Sequence, residues 1–240
     1  MSQHWAQSFF NNTYWNIFMK RNAQEIEHNY NVIKKVIGLE PMSVLDVCCG
    51  VGDILNKFSQ SGATKTLGLE WSKDYVENRY IDTVIQADAC EKNTNEQFDL
   101  VLNWFSSFAY FDKGKDKQML EHCFNATKKV FVLEIFNSYH ILNNFKEKLI
   151  YQKNIDGEVF DIIRQSKYDK VTGKLHQNWK YGSQGEFLEY NTSVNLYFVD
   201  EIINLLKEVG FKDISISSYD GVNLSEFNMN SPRLIFMAKR

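Results

Sequence analysis

Two glycines and two carboxylates follow one another in the first ninety residues with a spacing that suits a nucleotide-like ligand. Gly50 and Gly52 come directly after the apolar run 43–48, and a helical pattern follows them. Glycine lets the backbone approach a ligand closely, and a helix N-terminus offers free N–H groups. Glu70 ends the next apolar run, where a carboxylate can accept hydrogen bonds from two ribose hydroxyls, and Asp88 follows the third run. This order predicts a site for a nucleotide-type cofactor.

The apolar pattern also predicts the elements that position these residues. Strand-like runs alternate with helical patterns, and the strands are almost continuously apolar, which is typical of a parallel sheet covered by helices on both faces. Ligands bind such sheets at the carboxyl ends of the strands, so we expect Glu70, Asp88 and its neighbour Ala89 at one edge. The predicted strands are 43–48, 66–70, 83–87, 98–103 and 130–135.

The alternation ends after residue 149. Residues 150–198 contain β-rich runs separated by turn signals, which predict an antiparallel insertion. A capped amphipathic helix over 200–209 follows, with two further strands at 211–218 and 233–239, while 219–232 is predicted as a loop.

Composition excludes several classes of protein. The 240 residues carry a net charge of −3, which argues against a general nucleic-acid or membrane-surface binder. No apolar stretch reaches the roughly 18 residues of a membrane span, and no secretory signal is recognised, so a cytoplasmic protein is expected. The four cysteines form no C-x-x-C pair, so no metal site is predicted.

The run Asp46-Val-Cys48-Cys-Gly50-Val-Gly52 resembles the D-x-G-x-G-x-G motif of class I S-adenosylmethionine-dependent methyltransferases, with Cys48 in place of the first glycine. The resemblance extends over about residues 10–136 and more loosely over 199–240. It implies S-adenosylmethionine as cofactor and assigns each matching position a role. These roles are ribose binding by Glu70, adenine contacts by Trp71, Asp88 and Ala89, closure over the cofactor by Tyr14, and pairing of Arg21 with the methionine carboxylate.

The fourth strand and the run after it resemble the same family. Phe98-Asp99-Leu-Val-Leu-Asn103-Trp104 matches its fourth motif, and the following run through Phe111 looks like an "SFGYF"-type stretch of small-molecule methyltransferases. Asn103 is therefore expected to touch the cofactor's amino group or the acceptor. The other residues expected to wall the acceptor pocket are Trp104, Phe105, Tyr110, Asn137 and Trp179.

Three residues are candidates for a general base, because an O- or protonated N-acceptor must lose a proton. His140 comes first, since it follows the fifth strand; His176 in the insertion is second and Tyr110 third. An acceptor that is already a strong nucleophile needs none of them.

Arg164 and Arg233 stand out in a chain that otherwise uses lysine. Arginine presents a planar fork to carboxylates and phosphates. One or both are expected to bind an anionic acceptor, such as a nucleotide-linked sugar, a phosphoryl compound or a carboxylic acid. A structural ion pair is the alternative for each.

The resulting prediction is an α/β fold with a Rossmann-like, seven-stranded, mostly parallel sheet, helices on both faces and an antiparallel β insertion before the last helix. Residues 1–149 hold the cofactor-binding core, 150–198 roof the acceptor pocket, and 199–240 complete the sheet. The expected function is methyl transfer from S-adenosylmethionine to an O or N atom of a small, anionic or sugar-linked acceptor, by a monomer or homodimer without nucleic-acid or membrane partners.

Two alternatives stay open. One is a catalytically silent S-adenosylmethionine-binding protein. The other is a different nucleotide enzyme such as a dehydrogenase. The G-x-G-x-x-G motif of dehydrogenases requires a third glycine at the position of Leu55, which argues against this alternative.

Overall fold

A computed structural model describes residues 4–240 of the chain. Short helices come first and are followed by a regular alternation of strands and helices. In chain order these elements are α1 (Trp5–Phe9), α2 (Asn12–Tyr14), a π-helical turn (Trp15–Met19), α3 (Ala23–Ile37), β1 (Ser43–Val47), α4 (Asp53–Gln60), β2 (Lys65–Glu70), α5 (Lys73–Glu77), β3 (Val84–Gln86), β4 (Phe98–Asn103), α6 (Lys113–Ala126), β5 (Thr127–Phe136) and α7 (Ser138–Asn143).

Strands dominate the second half. Four long strands precede the last helix, and three strands follow it. They are β6 (Lys148–Ile155), β7 (Glu158–Asp169), β8 (Lys174–Ser183), β9 (Glu186–Asn195), α8 (Val199–Glu208), β10 (Lys212–Tyr219), β11 (Leu224–Glu226) and β12 (Arg233–Lys239).

The main sheet has the strand order β11-β10-β12-β5-β4-β1-β2-β3. The five strands β1 to β5 run parallel, and β12, β10 and β11 join antiparallel to their neighbours. The predicted α/β fold with a mostly parallel sheet is thereby confirmed. The sheet has eight strands rather than seven, because Leu224–Glu226, predicted as loop, pairs with the edge of β10.

Helices cover both faces of this sheet, and the strands supply both cores. On β5, Val130 and Val132 pack towards α3 and α4, whereas Phe131 and Leu133 pack towards α6 and α8. This alternation follows from the two-residue period of a strand, whose successive side chains point to opposite faces. Burial on both faces explains why these strands read as continuous apolar runs.

The insertion forms a second, four-stranded antiparallel sheet in the order β6-β7-β8-β9, which we call the roof sheet. The first described residues, 4–19, lie against it and form a segment that we call the N-terminal cover. Phe9 and Ile17 of the cover pack with Ile162 and Tyr181 of the roof sheet. The Lys153 ammonium also donates to the Ile17 carbonyl oxygen at 2.5 Å. The division of the chain into functional units remains a prediction.

None of the helices among residues 4–240 has the length and apolarity needed to cross a membrane. Within the same residues, no cluster of three or more His, Cys, Asp or Glu side chains has an arrangement able to hold a metal ion.

Candidate active site

A cavity of about 930 Å³ lies between the carboxyl ends of the parallel strands, the N-terminal cover and the roof sheet. Ligand pockets in proteins usually measure about 300–1,000 Å³, so this one lies near the upper end of that range. The loop after β1 forms its floor, and inward-facing side chains of the roof sheet close the opposite side.

The turn after β1 is built around glycine backbone conformations. Gly50 and Gly52 have φ values of +61° and +75°, in the left-handed region that favours glycine. A Cβ on Gly52 would lie 2.6 Å from the Val84 side chain, so close packing also requires glycine there. A Cβ on Gly50 would meet nothing closer than the Trp15 ring at 3.7 Å. The backbone at Gly50 is thus open towards the cavity, which it lines, whereas Gly52 serves the packing of the turn.

Glu70, the last residue of β2, connects this turn to the next one. Its Oε2 accepts from the Gly50 amide at 2.8 Å, and its Oε1 accepts from the Ser72 amide at 2.7 Å. Burial raises the pKa of this carboxyl, and the backbone donors partly oppose that shift. The carboxylate therefore lies in the cavity at a fixed position, with further lone pairs available to a ligand.

Cys48, which stands where the family motif has its first glycine, also has a left-handed φ of +61°. A side chain in this region costs of the order of 1–2 kcal/mol, so the substitution strains the turn. Cys48, Cys49 and Cys90 all line the cavity. Burial raises the pKa of each of these thiols, which argues against a reactive thiolate.

Aromatic rings gather where β2 and β3 end. Trp71 and Phe111 line the cavity with ring centroids 5.6 Å apart, and the ring of His4 in the cover lies 4.5 Å from that of Phe111. Asp88 and Ala89 line the same end, and Asp88 Oδ1 accepts from the Cys90 amide at 2.8 Å. The structure therefore brings together Glu70, Trp71, Asp88 and Ala89, as the sequence predicts.

Three of the predicted cofactor residues act beneath the turn rather than in the cavity. The Asn103 amide is fully buried and donates to the carbonyl oxygens of Val47 and Ser107 at 2.8 and 3.4 Å. Asp46 is also buried, and burial together with the charge of Asp53 raises the pKa of its carboxyl. With Gly52, these residues shape the loop and do not line the cavity, and a direct contact of Asn103 with the ligand stays a prediction.

Tyr14 and Arg21 do line the cavity, but Arg21 already has a partner. Its Nε and Nη2 donate to Asp53 at 2.7 and 2.9 Å, and its guanidinium lies 3.8 Å from the centroid of the Phe105 ring. The pair joins the N-terminal region to the start of α4 and neutralises the arginine. Only part of the Arg21 guanidinium thus remains for a ligand.

The loop after β4 has an unusual backbone. Phe105, Ser106 and Ala109 all have positive φ values. Such strained residues persist where their surroundings fix them, and they cluster at functional sites. Glu134, fully buried on β5, fixes this loop by accepting from the Phe105 amide at 3.0 Å and the Ser106 hydroxyl at 2.7 Å. Trp104, Phe105 and Tyr110, which the sequence predicts as pocket walls, all line the cavity.

The two arginines predicted to bind an anion have different surroundings. Arg233 Nη1 donates to both oxygens of Glu134 at 3.1 and 3.2 Å, so the structural ion pair foreseen as its alternative is present. Arg164 lines the cavity, and no carboxylate lies within 4 Å of its guanidinium anywhere in residues 4–240. Its Nε is buried without a hydrogen-bond partner.

The predicted bases and Asn137 need correction. The Nδ1 of His140 hydrogen-bonds to the Asn230 carbonyl oxygen at 2.6 Å, outside the cavity. His176 is exposed, because β8 directs Leu175, Gln177 and Trp179 inward and the residues between them outward. The Asn137 amide donates to Met229 and Ser231 carbonyl oxygens at 3.0 and 2.7 Å and so holds the 219–232 segment.

Tyr110 is the third candidate base and does reach the cavity. Its hydroxyl donates to the Ser106 carbonyl oxygen at 2.9 Å, and burial raises the pKa of the phenol well above its ordinary value. The phenolate is therefore disfavoured, and Tyr110 is better described as a wall residue.

Sequence reasoning missed His28 on α3. Its side chain lines the cavity, its ring stacks on Tyr219 with centroids 6.4 Å apart, and its Nε2 is buried without a partner within residues 4–240. The available signal was the spacing of Glu25 and His28, three residues apart in the helical pattern, which places both on one side of α3 near its N-terminus.

Comparison with known proteins agrees with this architecture. Residues 44–130, which span β1 to the start of β5 and the Gly50 turn, match a family model described as a methyltransferase domain. This match confirms the resemblance that the sequence motifs indicate. No curated protein matches the chain.

Solved structures share the methyltransferase fold over nearly the whole chain. An S-adenosylmethionine-dependent methyltransferase from Clostridium acetobutylicum has a TM-score of 0.74 at 16% identity, with coverage of 95% of this chain and 96% of that one. The sugar N-methyltransferase KedS8 from a Streptoalloteichus species has a TM-score of 0.67 at 17% identity, covering 92% and 88%. CalS10, an amino pentose methyltransferase from Micromonospora echinaspora, has a TM-score of 0.68 at 16% identity, covering 95% and 94%.

Proposed function

We propose that this chain transfers a methyl group from S-adenosylmethionine to a nitrogen or oxygen atom of a small-molecule acceptor. The observation that carries the proposal is Glu70, a buried carboxylate that spans the amides of Gly50 and Ser72 at the edge of the parallel sheet. It lies beside a turn whose backbone is open to the cavity at Gly50. These features fit an adenosyl ligand, because a ribose offers two hydroxyl donors to one carboxylate.

The chain's own residues have separate tasks in this proposal. Glu70 accepts the ribose hydroxyls, Trp71 lies against the adenine ring, and Asp88 accepts from the adenine amino group. Arg21 uses Nε and one hydrogen of Nη2 on Asp53, so Nη1 and the second Nη2 hydrogen are left for the methionine carboxylate. Tyr14 and the rest of the N-terminal cover exclude water from the cavity.

The bound cofactor supplies a methyl group on a positively charged sulfur. Because this group is already activated, the chain contributes mainly by holding an acceptor atom in line with it, which is worth up to about 7–11 kcal/mol when the geometry is good. The rigid loop of Phe105 and Ser106, fixed by Glu134, and the roof sheet form the two sides that hold the acceptor.

An amino sugar is the acceptor that the comparisons favour, since KedS8 and CalS10 are described as acting on sugars. A neutral amine attacks without a base, which agrees with the absence of His140 and His176 from the cavity lining. Where a proton must leave, His28 is the cavity residue best suited to accept it, because its Nε2 has no other partner in residues 4–240.

The test has a binding stage and a turnover stage. S-Adenosylhomocysteine should raise the melting temperature of the chain, whereas NAD and NADP should not, because a ligand that binds only the folded state stabilises it. Turnover is then measured as S-adenosylhomocysteine release with a panel of free, phosphorylated and nucleotide-linked amino sugars. Stabilisation by NAD alone would favour a dehydrogenase, and tight cofactor binding without turnover of any acceptor would favour a silent binding protein.

A further inference from the structure

Arg164 occupies a rigid and apolar position on the inward face of the roof sheet. It lies on β7, where strand pairing sets it directly opposite Trp179 on β8. Its guanidinium lies 5.1 Å from the centroid of the Trp179 ring, and both side chains line the cavity. The strand register and the aromatic ring therefore hold the cation at one place along the cavity.

The other cavity cations that the structure describes already have partners. Arg21 is paired with Asp53, Arg233 with Glu134, and Lys153 donates to the Ile17 carbonyl oxygen. Arg164 has neither a carboxylate within 4 Å nor a partner for its buried Nε in residues 4–240. Burial lowers the pKa of its guanidinium. A half-buried, unpaired charge is costly to a fold, so its retention points to a ligand that completes it.

We propose that Arg164 binds a phosphoryl group of the methyl acceptor. This inference rests on the proposed function and names the class of its second substrate. A guanidinium fork donates two parallel hydrogen bonds to a phosphate, and these are stronger than bonds between neutral groups.

Donors on other elements favour a phosphoryl group over a carboxylate. The Tyr14 hydroxyl in the N-terminal cover is buried, which raises the pKa of that phenol, and the nearby guanidinium groups of Arg164 and Arg233 oppose the shift. The cover and β7 thus each place a donor along the cavity, the Tyr14 hydroxyl and the Arg164 guanidinium. A tetrahedral phosphoryl group has oxygens to accept from several directions, whereas a carboxylate accepts mainly in one plane.

This arrangement divides the cavity between the two substrates. Glu70, Trp71 and Asp88 lie at the strand ends, and Arg164 lies on the facing roof sheet. An acceptor held by its phosphoryl group at Arg164 extends from the roof sheet towards the turn at Gly50, so its reactive atom lies at a distance from its charged end.

The experiment is a calorimetric titration of inorganic diphosphate, free of divalent cations, into the full chain saturated with S-adenosylhomocysteine. Wild-type protein should bind the anion, and Arg164→Gln should weaken binding at least tenfold. Arg164→Lys should fall between them, because lysine keeps the charge but loses the fork. The matched control is Arg79→Gln, which removes an exposed arginine outside the cavity. It should leave the affinities for diphosphate and for S-adenosylhomocysteine unchanged.

Thermal unfolding separates ligand binding from a structural role. Because Arg164 has no hydrogen-bond or ion-pair partner to lose, Arg164→Gln should melt at or above the wild-type temperature and bind S-adenosylhomocysteine as the wild type does. A lower melting temperature with unchanged diphosphate affinity would overturn the proposal. So would a wild-type protein that binds S-adenosylhomocysteine but not diphosphate, whereas failure to bind S-adenosylhomocysteine would contradict the proposed function instead.

Discussion

The two sides of the cavity differ in how their charged side chains are paired. At the strand ends, Glu70 bonds the amides of Gly50 and Ser72, and Arg21 pairs with Asp53. On the facing roof sheet, Arg164 has a buried Nε without a partner in the described residues. The strand-end side is prepared before a ligand arrives, while the roof side depends on a ligand to complete it. We infer that the strand-end side binds the cofactor, which is the same in every reaction, and that the roof side selects the acceptor.

Replacement of Glu70 by glutamine should have the largest effect, a loss of cofactor affinity on the strand-end side. The amide keeps the shape but loses the charge that two ribose hydroxyls and two backbone amides share. Affinity for S-adenosylhomocysteine should fall about 100-fold or more, as expected for the loss of two charge-assisted hydrogen bonds. Calorimetric titration measures the change, with Glu226→Gln on the exposed edge strand as control. An unchanged affinity for Glu70→Gln would mean that the prepared side does not bind the cofactor.

Breaking the Arg233–Glu134 ion pair should have the next largest effect, a loss of folding stability. Arg233→Gln leaves the fully buried Glu134 carboxylate without its cation, and breaking such a pair costs about 3 kcal/mol. Urea unfolding measures the loss. The double variant Arg233→Gln/Glu134→Gln should lose less than the sum of the single variants, because the two residues act on each other. Additive losses would show that the Arg233 and Glu134 side chains do not stabilise each other.

Cys48→Gly should raise stability modestly. Glycine relieves the left-handed backbone at φ +61°, and its greater freedom in the unfolded chain offsets part of the gain. We expect an increase of about 0.5–1 kcal/mol, or about 1–4 °C in melting temperature for a chain of this size. Gly50→Ala, in the same turn, is the opposite test and should lower stability. Destabilisation by Cys48→Gly would mean that the thiol's packing outweighs the backbone strain.

The smallest effect is expected at His4 in the N-terminal cover, where the contribution of this side chain to the free energy of unfolding should depend on pH. Burial lowers the pKa of its imidazole below 6.5, Lys115 acts in the same direction, and the Tyr110 carbonyl and Asp88 oppose them. The unfolded chain therefore binds this proton more readily than the folded chain. The stability that depends on neutral His4 is complete above about pH 6.5 and is lost as the pH falls through the lowered pKa.

Unfolding free energies of wild type and His4→Phe, compared between about pH 8 and pH 5, measure this contribution. The difference between the two proteins should change in favour of His4→Phe on acidification. A constant difference would remove His4 from the titrating groups of the cover.

The strand-end side could be predicted from the sequence because local signals determine it. The apolar runs that end near Cys48, Glu70 and Ala87 lie on neighbouring parallel strands, so their following residues must meet at one edge. The backbone turn at Gly50 and the adjacent helix are likewise local. Asp46 and Asn103 belong to the same strands but do not line the cavity, and the local pattern does not reveal this.

The acceptor side could not be predicted to the same depth, because distant contacts decide it. His140 and Asn137 bond to backbone carbonyls about ninety residues away, which no local pattern reveals. The orientation of His176 depends on the register of β8, where a shift of one residue reverses inside and outside. Arg164 and Arg233 look alike in the sequence, and only the position of Glu134 on β5 distinguishes them.

The most direct test of the account is a crystal structure of the chain with S-adenosylhomocysteine. We predict that both ribose hydroxyls bond to Glu70, that the adenine ring lies between Trp71 and Asp88, and that the sulfur faces the part of the cavity beneath Arg164. A nucleoside bound elsewhere, or a cavity in which Glu70 contacts only the protein at saturating ligand, would contradict it.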